Sequence, residues 1–393
     1  MNIIFVGGLF PRDFYSKYID SISNGLQVAS ENFQTSFIDG LLSNQYKIKI
    51  ISAPFFPYYS KDSKIMYIEG GVWKYKENDF YGVSYLNIPF IKNQLKIKGL
   101  KNYIKKSLSR DCQNIIFVYS ANYAYLKAAL EFEGQATIVP IITDLPKHVS
   151  SSNFLYNKYI SIFENNFFKK NINKFDGYVF LTKYVADYLK LDSSKCFIME
   201  GIYTPIKIAN SEKIKKEKNV VLYTGTLKDI YGVKDLIECF KSIEHYELWV
   251  CGDGELKNYI IECGVKYKNI KYLGMLNKTE IIKIQKTASV LINPRKNEHE
   301  LNMYTFPSKT MEYLASGTPV LMYNLSGIPD EYHKYLNFID PQIGLKDNII
   351  NFFKRDLNKL NETASAARSF ILNDKNSTRQ IYELMEFVVN KLI

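Results

Sequence analysis

The chain has 393 residues, which is too long for one compact domain, and 46% of them are hydrophobic, enough for two buried cores. This composition excludes a disordered protein, and charged residues interrupt every apolar run before it reaches the length of a membrane span. The net charge of +11 predicts an anionic substrate or an anionic membrane surface as partner, and we expect no nucleic acid because no known reader motif accompanies the charge.

The first ten residues, MNIIFVGGLF, lack the basic segment and the cleavage site that are typical of a signal peptide. They predict a buried strand that runs into a turn at Gly7 and Gly8. The 5 cysteines are scattered without metal-binding or redox spacing, which favours buried thiols in a reducing cytoplasm.

Short apolar runs then alternate with longer helical patterns along the chain. Most runs are apolar throughout, as is typical of parallel strands that are buried on both faces. The pattern predicts an α/β fold built of doubly wound sheets. The predicted strands are Ile3–Val6, Ile48–Ala53, Ile115–Tyr119, Ala136–Ile142, Gly177–Leu181, Val220–Tyr223, Glu247–Cys251, Ile270–Leu273, Ser289–Asn293 and Pro319–Tyr323.

The segment 91–110 is strongly basic and contains no acidic residue. Ile97, Leu100, Ile104 and Leu108 recur in it at helical spacing. Two interpretations stay open: a basic amphipathic helix that rests on anionic lipid, or a surface helix with a core stripe and solvated lysines.

A polar stretch without periodicity, 211–219, predicts a boundary between two halves of similar architecture that face each other across a cleft. We expect a first domain at 1–205 and a second at 206–375. The last residues, 376–393, predict an amphipathic helix whose apolar side carries Ile381, Leu384, Met385 and Val388.

Ligands of open α/β sheets bind beyond the carboxyl ends of the strands, so the loops after the strands of the second half hold the candidate residues. Gly225 follows one strand and precedes a helix expected near Val233, an arrangement that favours phosphate binding. Gly252 and Gly254 follow the next strand and flank Asp253, without the third glycine of a dinucleotide fingerprint. Asp253 fits a helix cap as well as a metal ligand, and we assign no metal.

The densest polar group follows the strand Ser289–Asn293. Arg295 comes directly after the strand, and Lys309 lies at the start of a helix, where the helix dipole disfavours a cation unless an anion is present. Glu312 lies one turn further on the same side of the helix. Two cations at a helix N-terminus would hold a diphosphate, and the glutamate would accept hydrogen bonds from the hydroxyls of a ribose.

Three motifs, LYTGTLKDIYGVKDLIECF, ELWVCGDGEL and PSKTMEYLASGTPVL, resemble in order and spacing the second half of GT-B glycosyltransferases. The closest set is family 4 of the retaining enzymes, as found in bacterial capsule and lipopolysaccharide loci. The first half resembles them more loosely, through Gly7 and Gly8, the segment QVASENFQTSFIDGL and TDLP at 143–146. The resemblance implies two Rossmann-like domains, a nucleotide-sugar donor on the second, an acceptor on the first, and a final helix that packs back on the first.

The resemblance also implies roles for individual residues of the donor domain. Glu312 matches the glutamate that holds the ribose, whereas Tyr304 stands at the position of the family's other glutamate. Thr226 and Tyr231 replace the usual arginine and lysine, so Arg295, Lys309 and Lys228 would supply the positive charge. The expected donor-binding residues are Gly225, Thr226, Lys228, Gly252, Gly254, Tyr304, Thr305, Ser308 and Glu312.

On the acceptor side the resemblance implies Gly7, Gly8 and a catalytic loop at Asp144. Thr143 stands where the family often has a histidine, and His148 is the expected substitute. The expected catalytic residues are Asp144, Arg295 and Lys309.

The implied reaction is sugar transfer with retention of configuration, in which the leaving phosphate helps to take the proton of the acceptor. We expect no cofactor and no metal, a glycan or polyprenyl-linked acceptor, and a cytoplasmic protein held at the inner membrane face through the segment 91–110. Two alternatives stay open. A nucleotide-sugar epimerase on the same fold would use His299 or His333 near the donor loops, and a degenerate partner protein would explain the changes at Thr226, Tyr231 and Tyr304.

Overall fold

The computed structural model describes residues 1–10, 28–56, 59, 65–89, 91–145, 155–205, 215–298 and 300–393. The chain divides into two compact units, the first formed by Met1–Ile202 with Ser377–Ile393 and the second by Tyr203–Asn376. The division falls close to the predicted boundary between residues 205 and 206, and the C-terminal segment belongs to the first unit.

The first unit is built on a sheet of eight strands in the order β10-β9-β8-β7-β1-β2-β5-β4, and a separate pair joins β3 to β6. All neighbours in the large sheet are parallel except β4 and β5. The strands are β1 (Asn2–Gly7), β2 (Ile48–Ser52), β3 (Tyr67–Ile68), β4 (Gly71–Tyr75), β5 (Asn78–Gly82), β6 (Tyr85–Leu86), β7 (Asn114–Tyr119), β8 (Thr137–Ile142), β9 (Tyr178–Phe180) and β10 (Cys196–Ile198).

Helices of the first unit connect these strands. They are α1 (Val28–Ser43), α2 (Ile91–Ser107), α3 (Tyr123–Leu130), α4 (Leu155–Asn171) and α5 (Lys183–Leu189). Strands β1, β7 and β8 are buried almost throughout, as the continuous apolar runs predicted.

The second unit contains a six-stranded parallel sheet in the order β13-β12-β11-β14-β15-β16. Its strands are β11 (Val220–Thr224), β12 (Glu247–Cys251), β13 (Ile270–Gly274), β14 (Val290–Asn293), β15 (Val320–Met322) and β16 (Asn337–Phe338). Its helices are α6 (Val233–Phe240), α7 (Lys257–Lys266), α8 (Lys278–Thr287), α9 (Leu301–Tyr304), α10 (Ser308–Ser316), α11 (Asp330–His333), α12 (Gly344–Phe353) and α13 (Leu357–Asp374).

Each large sheet has one point at which the chain reverses its direction of winding. In the first unit the chain builds β1, β2 and the strands beyond β2, and then returns to place β7 on the other side of β1. In the second unit it builds β11, β12 and β13, and then returns to place β14 on the other side of β11. Ligands of open α/β sheets bind at such switch points, beyond the carboxyl ends of the strands.

The C-terminal helix α14 (Ser377–Phe387) continues into a π-helical turn, Val388–Leu392. Ile381, Leu384, Met385 and Val388 are buried in the core of the first unit, as predicted. The helix approaches α1 closely, because a Cβ at Gly40 would lie 2.5 Å from Cγ1 of Ile381. The first unit therefore needs the end of the chain to complete its core.

All ten predicted strands are present, and α6 begins at Val233 as predicted. The short strands β3 to β6, β10 and β16 were not predicted. The stripe predicted for the basic segment is wrong in part, because α2 buries Lys92 and Lys96 together with Leu100 and Ile104. Within the described ranges, no helix is both long and apolar enough to cross a membrane.

The two buried lysines of α2 hold the loop that follows β2. Nζ of Lys96 donates hydrogen bonds to the carbonyl oxygens of Ala53 at 3.0 Å and Pro54 at 2.8 Å. Its ammonium also lies 4.5 Å from the ring centroid of Tyr85. Lys92 donates to the carbonyl oxygen of Phe56. The helical periodicity of apolar residues did not predict these two core positions, because lysine is rarely buried. Here backbone carbonyl groups accept hydrogen bonds from both lysines, and an aromatic ring lies beside the Lys96 ammonium.

Candidate active site

Glycines let the loops after β11, β12 and β14 interlock at the carboxyl edge of the second sheet. A Cβ at Gly252 would lie 1.8 Å from the carbonyl oxygen of Gly225, and one at Gly254 would lie 2.5 Å from that of Leu227. A Cβ at Gly232 would lie 2.1 Å from the carbonyl oxygen of Pro294. The predicted turns at Gly225, Gly252 and Gly254 therefore form one surface around the switch point between β11 and β14.

Helix α10 is fixed to the end of β11 by a buried tyrosine. The hydroxyl of Tyr313 accepts a hydrogen bond from the backbone N–H of Thr224 at 2.9 Å and donates one to its carbonyl oxygen at 3.0 Å. This contact places the N-terminus of α10 at the carboxyl edge of the sheet. Pro307 precedes the helix without a side-chain cap, which leaves the free N–H groups of the first turn available to an anion.

Lys309 and Glu312 lie together on the first turns of α10, as their spacing predicted. Nζ of Lys309 donates to Oε2 of Glu312 at 3.0 Å, and both side chains are a little over one third exposed. Burial raises the pKa of the Cys251 thiol while the nearby Lys309 ammonium lowers it, so Lys309 also lies close to the end of β12. The pair is accessible, and a ligand can compete for either group.

Arg295 follows β14 and is held against an aromatic ring. Its guanidinium carbon lies 5.5 Å from the ring centroid of Tyr231. Its Nε is buried without a hydrogen-bond partner among the described residues. Burial lowers the pKa of Arg295, and Tyr231 and Tyr223 oppose that shift. A half-buried cation with an unsatisfied donor is suited to an anionic ligand at the switch point.

The other residues predicted for the donor site lie around the same edge. Thr226 and Lys228 are exposed on the loop after β11, and Ser308 is exposed at the first position of α10. The carbonyl oxygen of Thr305 would lie 2.1 Å from a Cβ at Gly327. Tyr304 is buried, and its hydroxyl donates to Oε1 of Glu300 at 3.1 Å.

Asp253 does not cap a helix. Helix α7 begins after Leu256 without a side-chain cap, and Oδ1 of Asp253 lies 3.5 Å from Nζ of Lys257. In the part of the chain that the structure describes, no group of three or more His, Cys, Asp or Glu side chains is arranged to hold a metal ion.

In the first unit, Gly7 and Gly8 end β1 at the switch point between β1 and β7. The backbone N–H of Gly8 donates to Oε1 of Gln34 at 2.9 Å, and a Cβ at Gly7 would lie 2.4 Å from the same oxygen. Gln34 is 1% exposed although it is polar. Gln34 lies on the buried face of α1, together with Phe37. A polar residue on an otherwise apolar helix face is a sign of a functional or structural role, and sequence reasoning missed it.

Asp144 lies exposed in the loop after β8, where its Oδ2 accepts a hydrogen bond from Oγ1 of Thr143 at 3.2 Å. Tyr119, at the end of β7, is buried beside it. His148 lies outside the described residues. So does His299, and the ring of His333 packs against Phe338 at 5.1 Å between centroids.

Comparisons with known proteins bear on both units. Residues 206–370 match the family model described as glycosyl transferases group 1. No curated protein matches the chain in sequence. The fold matches solved structures over almost all of its length.

A mutant of S. aureus TarM in complex with fondaparinux, alpha-GlcNAc-glycerol and UDP is 12% identical, with 98% of this chain and 99% of that chain covered at a TM-score of 0.62. The lipopolysaccharide outer core galactosyltransferase WaaB in its apo form is 14% identical, with 100% of both chains covered at 0.59. The pneumococcal O-GlcNAc transferase GtfA in complex with UDP and GlcNAc is 11% identical, with 100% of this chain and 99% of that chain covered at 0.59. Identities this low establish the fold alone, and the predicted GT-B fold is confirmed.

Proposed function

We propose that this chain, which has the GT-B glycosyltransferase fold and a glycosyl transferases group 1 domain, is a retaining glycosyltransferase that takes its sugar from a nucleoside-diphosphate-sugar. The acceptor is a glycan or a lipid-linked sugar of a bacterial surface polysaccharide. The observation that carries the proposal is the pair of cations, Arg295 and Lys309, at the switch point of the second sheet, beside the uncapped N-terminus of α10.

The donor-binding groups of the second unit divide into those that bind the diphosphate and one that binds the ribose. The free N–H groups of α10 and the two cations bind the diphosphate, and Lys228 adds charge from the loop after β11. When Lys309 turns to the phosphate, Glu312 is released from its ion pair and accepts hydrogen bonds from the ribose hydroxyls. Two structural neighbours were solved with UDP, which makes UDP the first nucleotide to test.

The cations also stabilise the leaving diphosphate. Negative charge grows on the diphosphate as the bond to the sugar breaks, and fixed positive groups at that place lower the barrier. In a transfer with retention the leaving phosphate takes the proton of the acceptor hydroxyl, so the protein needs no strong base. Arg295, Lys309 and the helix N-terminus supply the charge, and we propose that no metal is required.

We propose that the first unit binds the acceptor at Gly7, Gly8 and Asp144.

We also propose that the first unit contacts an anionic membrane surface through α2. The outward side of α2 and the neighbouring α3 form a groove of about 430 Å³ that contains Lys98, Lys101 and Lys127. Lysines on such a surface attract anionic lipid head groups. We expect the protein to float with phosphatidylglycerol vesicles and not with phosphatidylcholine vesicles. Equal amounts of protein floating with both kinds of vesicle, or with neither, would contradict the membrane contact.

The donor site is tested by thermal unfolding with UDP, GDP, ADP, CMP and TDP, each with and without magnesium. A nucleotide present at a hundred times its dissociation constant raises the free energy of unfolding by about 2.7 kcal/mol. We expect one nucleotide to stabilise the chain equally with and without magnesium, and Lys309→Ala and Arg295→Ala to lose the effect. Lys271→Ala is the matched control, because Lys271 forms an exposed ion pair with Glu247 instead.

Failure of every nucleotide to stabilise the wild type would overturn the donor site. Stabilisation that persists in both variants would show that the assigned cations are the wrong ones. Stabilisation that appears only with magnesium would overturn the metal-free part of the proposal.

A further inference from the structure

Glu31 lies at the switch point of the first sheet, where the acceptor is proposed to bind. It belongs to the first turn of α1. Oε1 accepts a hydrogen bond from the backbone N–H of Phe10, in the loop after β1, at a long distance of 3.4 Å. The carboxylate therefore has spare capacity for hydrogen bonds, at the edge of the sheet where ligands of this architecture bind.

The described groups that face Glu31 come from three elements: α1, the end of β7 and the loop after β1. Ser30 and Gln34 lie beside it on α1. Tyr119, from the end of β7, is close enough to Glu31 and Asp144 for both carboxylates to raise its pKa, after the larger effect of burial. Ser30 and Thr143 oppose that shift. The loop after β1 contributes the N–H of Phe10.

Burial raises the pKa of Glu31 to about 7, against a small opposing effect of the Phe10 hydrogen bond. No lysine, arginine or histidine of the described residues counters this shift. A carboxyl group in such a place gains most from a ligand that donates hydrogen bonds to its ionised form, since these bonds are stronger than bonds between neutral groups.

We propose that Glu31 is an acceptor-binding residue, whose ionised carboxylate accepts a hydrogen bond from an acceptor hydroxyl and holds it at the switch point between β1 and β7. The ligand class is a sugar or polyol with a free hydroxyl group. Glu31 positions the hydroxyl and does not keep its proton, which passes to the leaving phosphate. The inference rests on the proposed function, because it assumes that the first unit binds the acceptor.

The first experiment uses glycerol and water as simple hydroxyl acceptors. Release of UDP from UDP-glucose, UDP-galactose and UDP-N-acetylglucosamine is measured between about pH 5.5 and about pH 8.5 for the wild type, Glu31→Gln and Asp39→Asn. Asp39 is the matched control, because it lies on α1 and pairs with Lys76 at 2.7 Å.

We expect the wild-type rate to rise with pH through about 7, because the ionised form of Glu31 is the active one. In Glu31→Gln the rate is expected to be about tenfold lower and independent of this ionisation, with unchanged affinity for UDP. Asp39→Asn follows the wild type. A wild-type rate and pH profile in Glu31→Gln would overturn the proposal.

A second experiment does not depend on turnover. The complete chain is labelled with carboxyl-¹³C glutamate, and the signal that disappears in Glu31→Gln is titrated by NMR with and without glycerol. Hydrogen bonds from glycerol to the ionised carboxylate are expected to lower its pKa by about half a unit or more. An unchanged pKa would overturn the role of Glu31, whereas an inactive wild type with a shifted pKa would overturn only the proposed transfer.

Discussion

At the scale of single residues, the burial of Lys92 makes the stability of the first unit depend on pH. Its ammonium is buried under the loop after β2, and burial lowers its pKa to about 7, although the nearby Glu164 carboxylate opposes this. The unfolded lysine keeps its ordinary pKa of 10.5. Between these two values the unfolded chain binds the additional proton, so the free energy of unfolding increases as the pH rises.

We therefore expect Lys92 to add about 1 to 2 kcal/mol to the stability of the first unit between about pH 7 and about pH 9. Lys92→Met is expected to lose this contribution, whereas Lys96, whose pKa burial also lowers, keeps its own. Urea unfolding is followed by the fluorescence of Trp73, after Trp249 of the second unit is replaced by Phe. The exposed Lys98→Met on the same helix is the control and keeps the wild-type slope. Identical slopes in Lys92→Met and the wild type would contradict the prediction.

Tyr231 gives a second prediction at this scale, because its ring holds Arg295. A cation–π contact contributes about 0.5 to 2 kcal/mol, so Tyr231→Leu is expected to weaken UDP binding by about 2- to 30-fold. Tyr231→Phe keeps the ring and is expected to bind as the wild type does. Calorimetric titration with UDP measures both. Weak binding in Tyr231→Phe as well would assign the effect to the hydroxyl instead.

At the scale of elements, the interlocked loops of the second unit depend on glycine. Gly252 has a φ of +145° and no room for a Cβ, whereas Gly274 has a φ of +77° and nothing within 4 Å of a Cβ. Gly252→Ala combines backbone strain with a clash against backbone, and Gly274→Ala has the strain alone. The pair therefore separates the contact between loops from the cost of the backbone conformation.

We expect Gly252→Ala to destabilise the second unit by about 4 kcal/mol or more and Gly274→Ala by about 1 to 2 kcal/mol. The fluorescence of Trp249, in a Trp73→Phe background, reports the unfolding of this unit in urea. UDP binding is expected to be lost in Gly252→Ala and kept in Gly274→Ala. Equal effects of the two substitutions would mean that the loops are not in the contact described.

The elements differ in how far the sequence predicts them. The buried parallel strands are continuous apolar runs, which makes them visible without a structure. Strand β4 alternates between half-buried and exposed residues and pairs in antiparallel fashion at the sheet edge, so no apolar run marks it. The buried face of helix α2 was predicted incorrectly because two of its core positions are lysines. A lysine can be buried where backbone carbonyl groups of another segment accept its hydrogen bonds, and the sequence of the helix alone does not show those groups.

The candidate site was predictable on one side only. Arg295 follows β14 directly, and Lys309 and Glu312 lie on the first turns of the next long helix, α10, so one stretch of chain brings all three together. Glu31 and Tyr119 are distant in the sequence, and only the return of the chain to β7 places them on the same edge. No local pattern contains that information.

At the scale of the whole molecule, removal of 377–393 tests the division into units. The first unit loses the buried side chains of α14, and we expect it to unfold, as reported by Trp73. The second unit keeps its own core and is expected to retain UDP binding. Tyr382→Ser, an exposed change on the same helix, is the control and leaves both units folded. A truncated chain with a folded first unit would contradict the assignment of α14.

The place of α14 also has a consequence for synthesis. The first unit is begun by the N-terminal segment but completed by residues that the ribosome adds only after the entire second unit. At about 5–20 residues per second, the unfinished sheet waits roughly 10 to 35 s with the α14 face of its core uncovered. The later unit in the chain is thus the first that can finish folding, and the first unit keeps exposed apolar surface until α14 emerges.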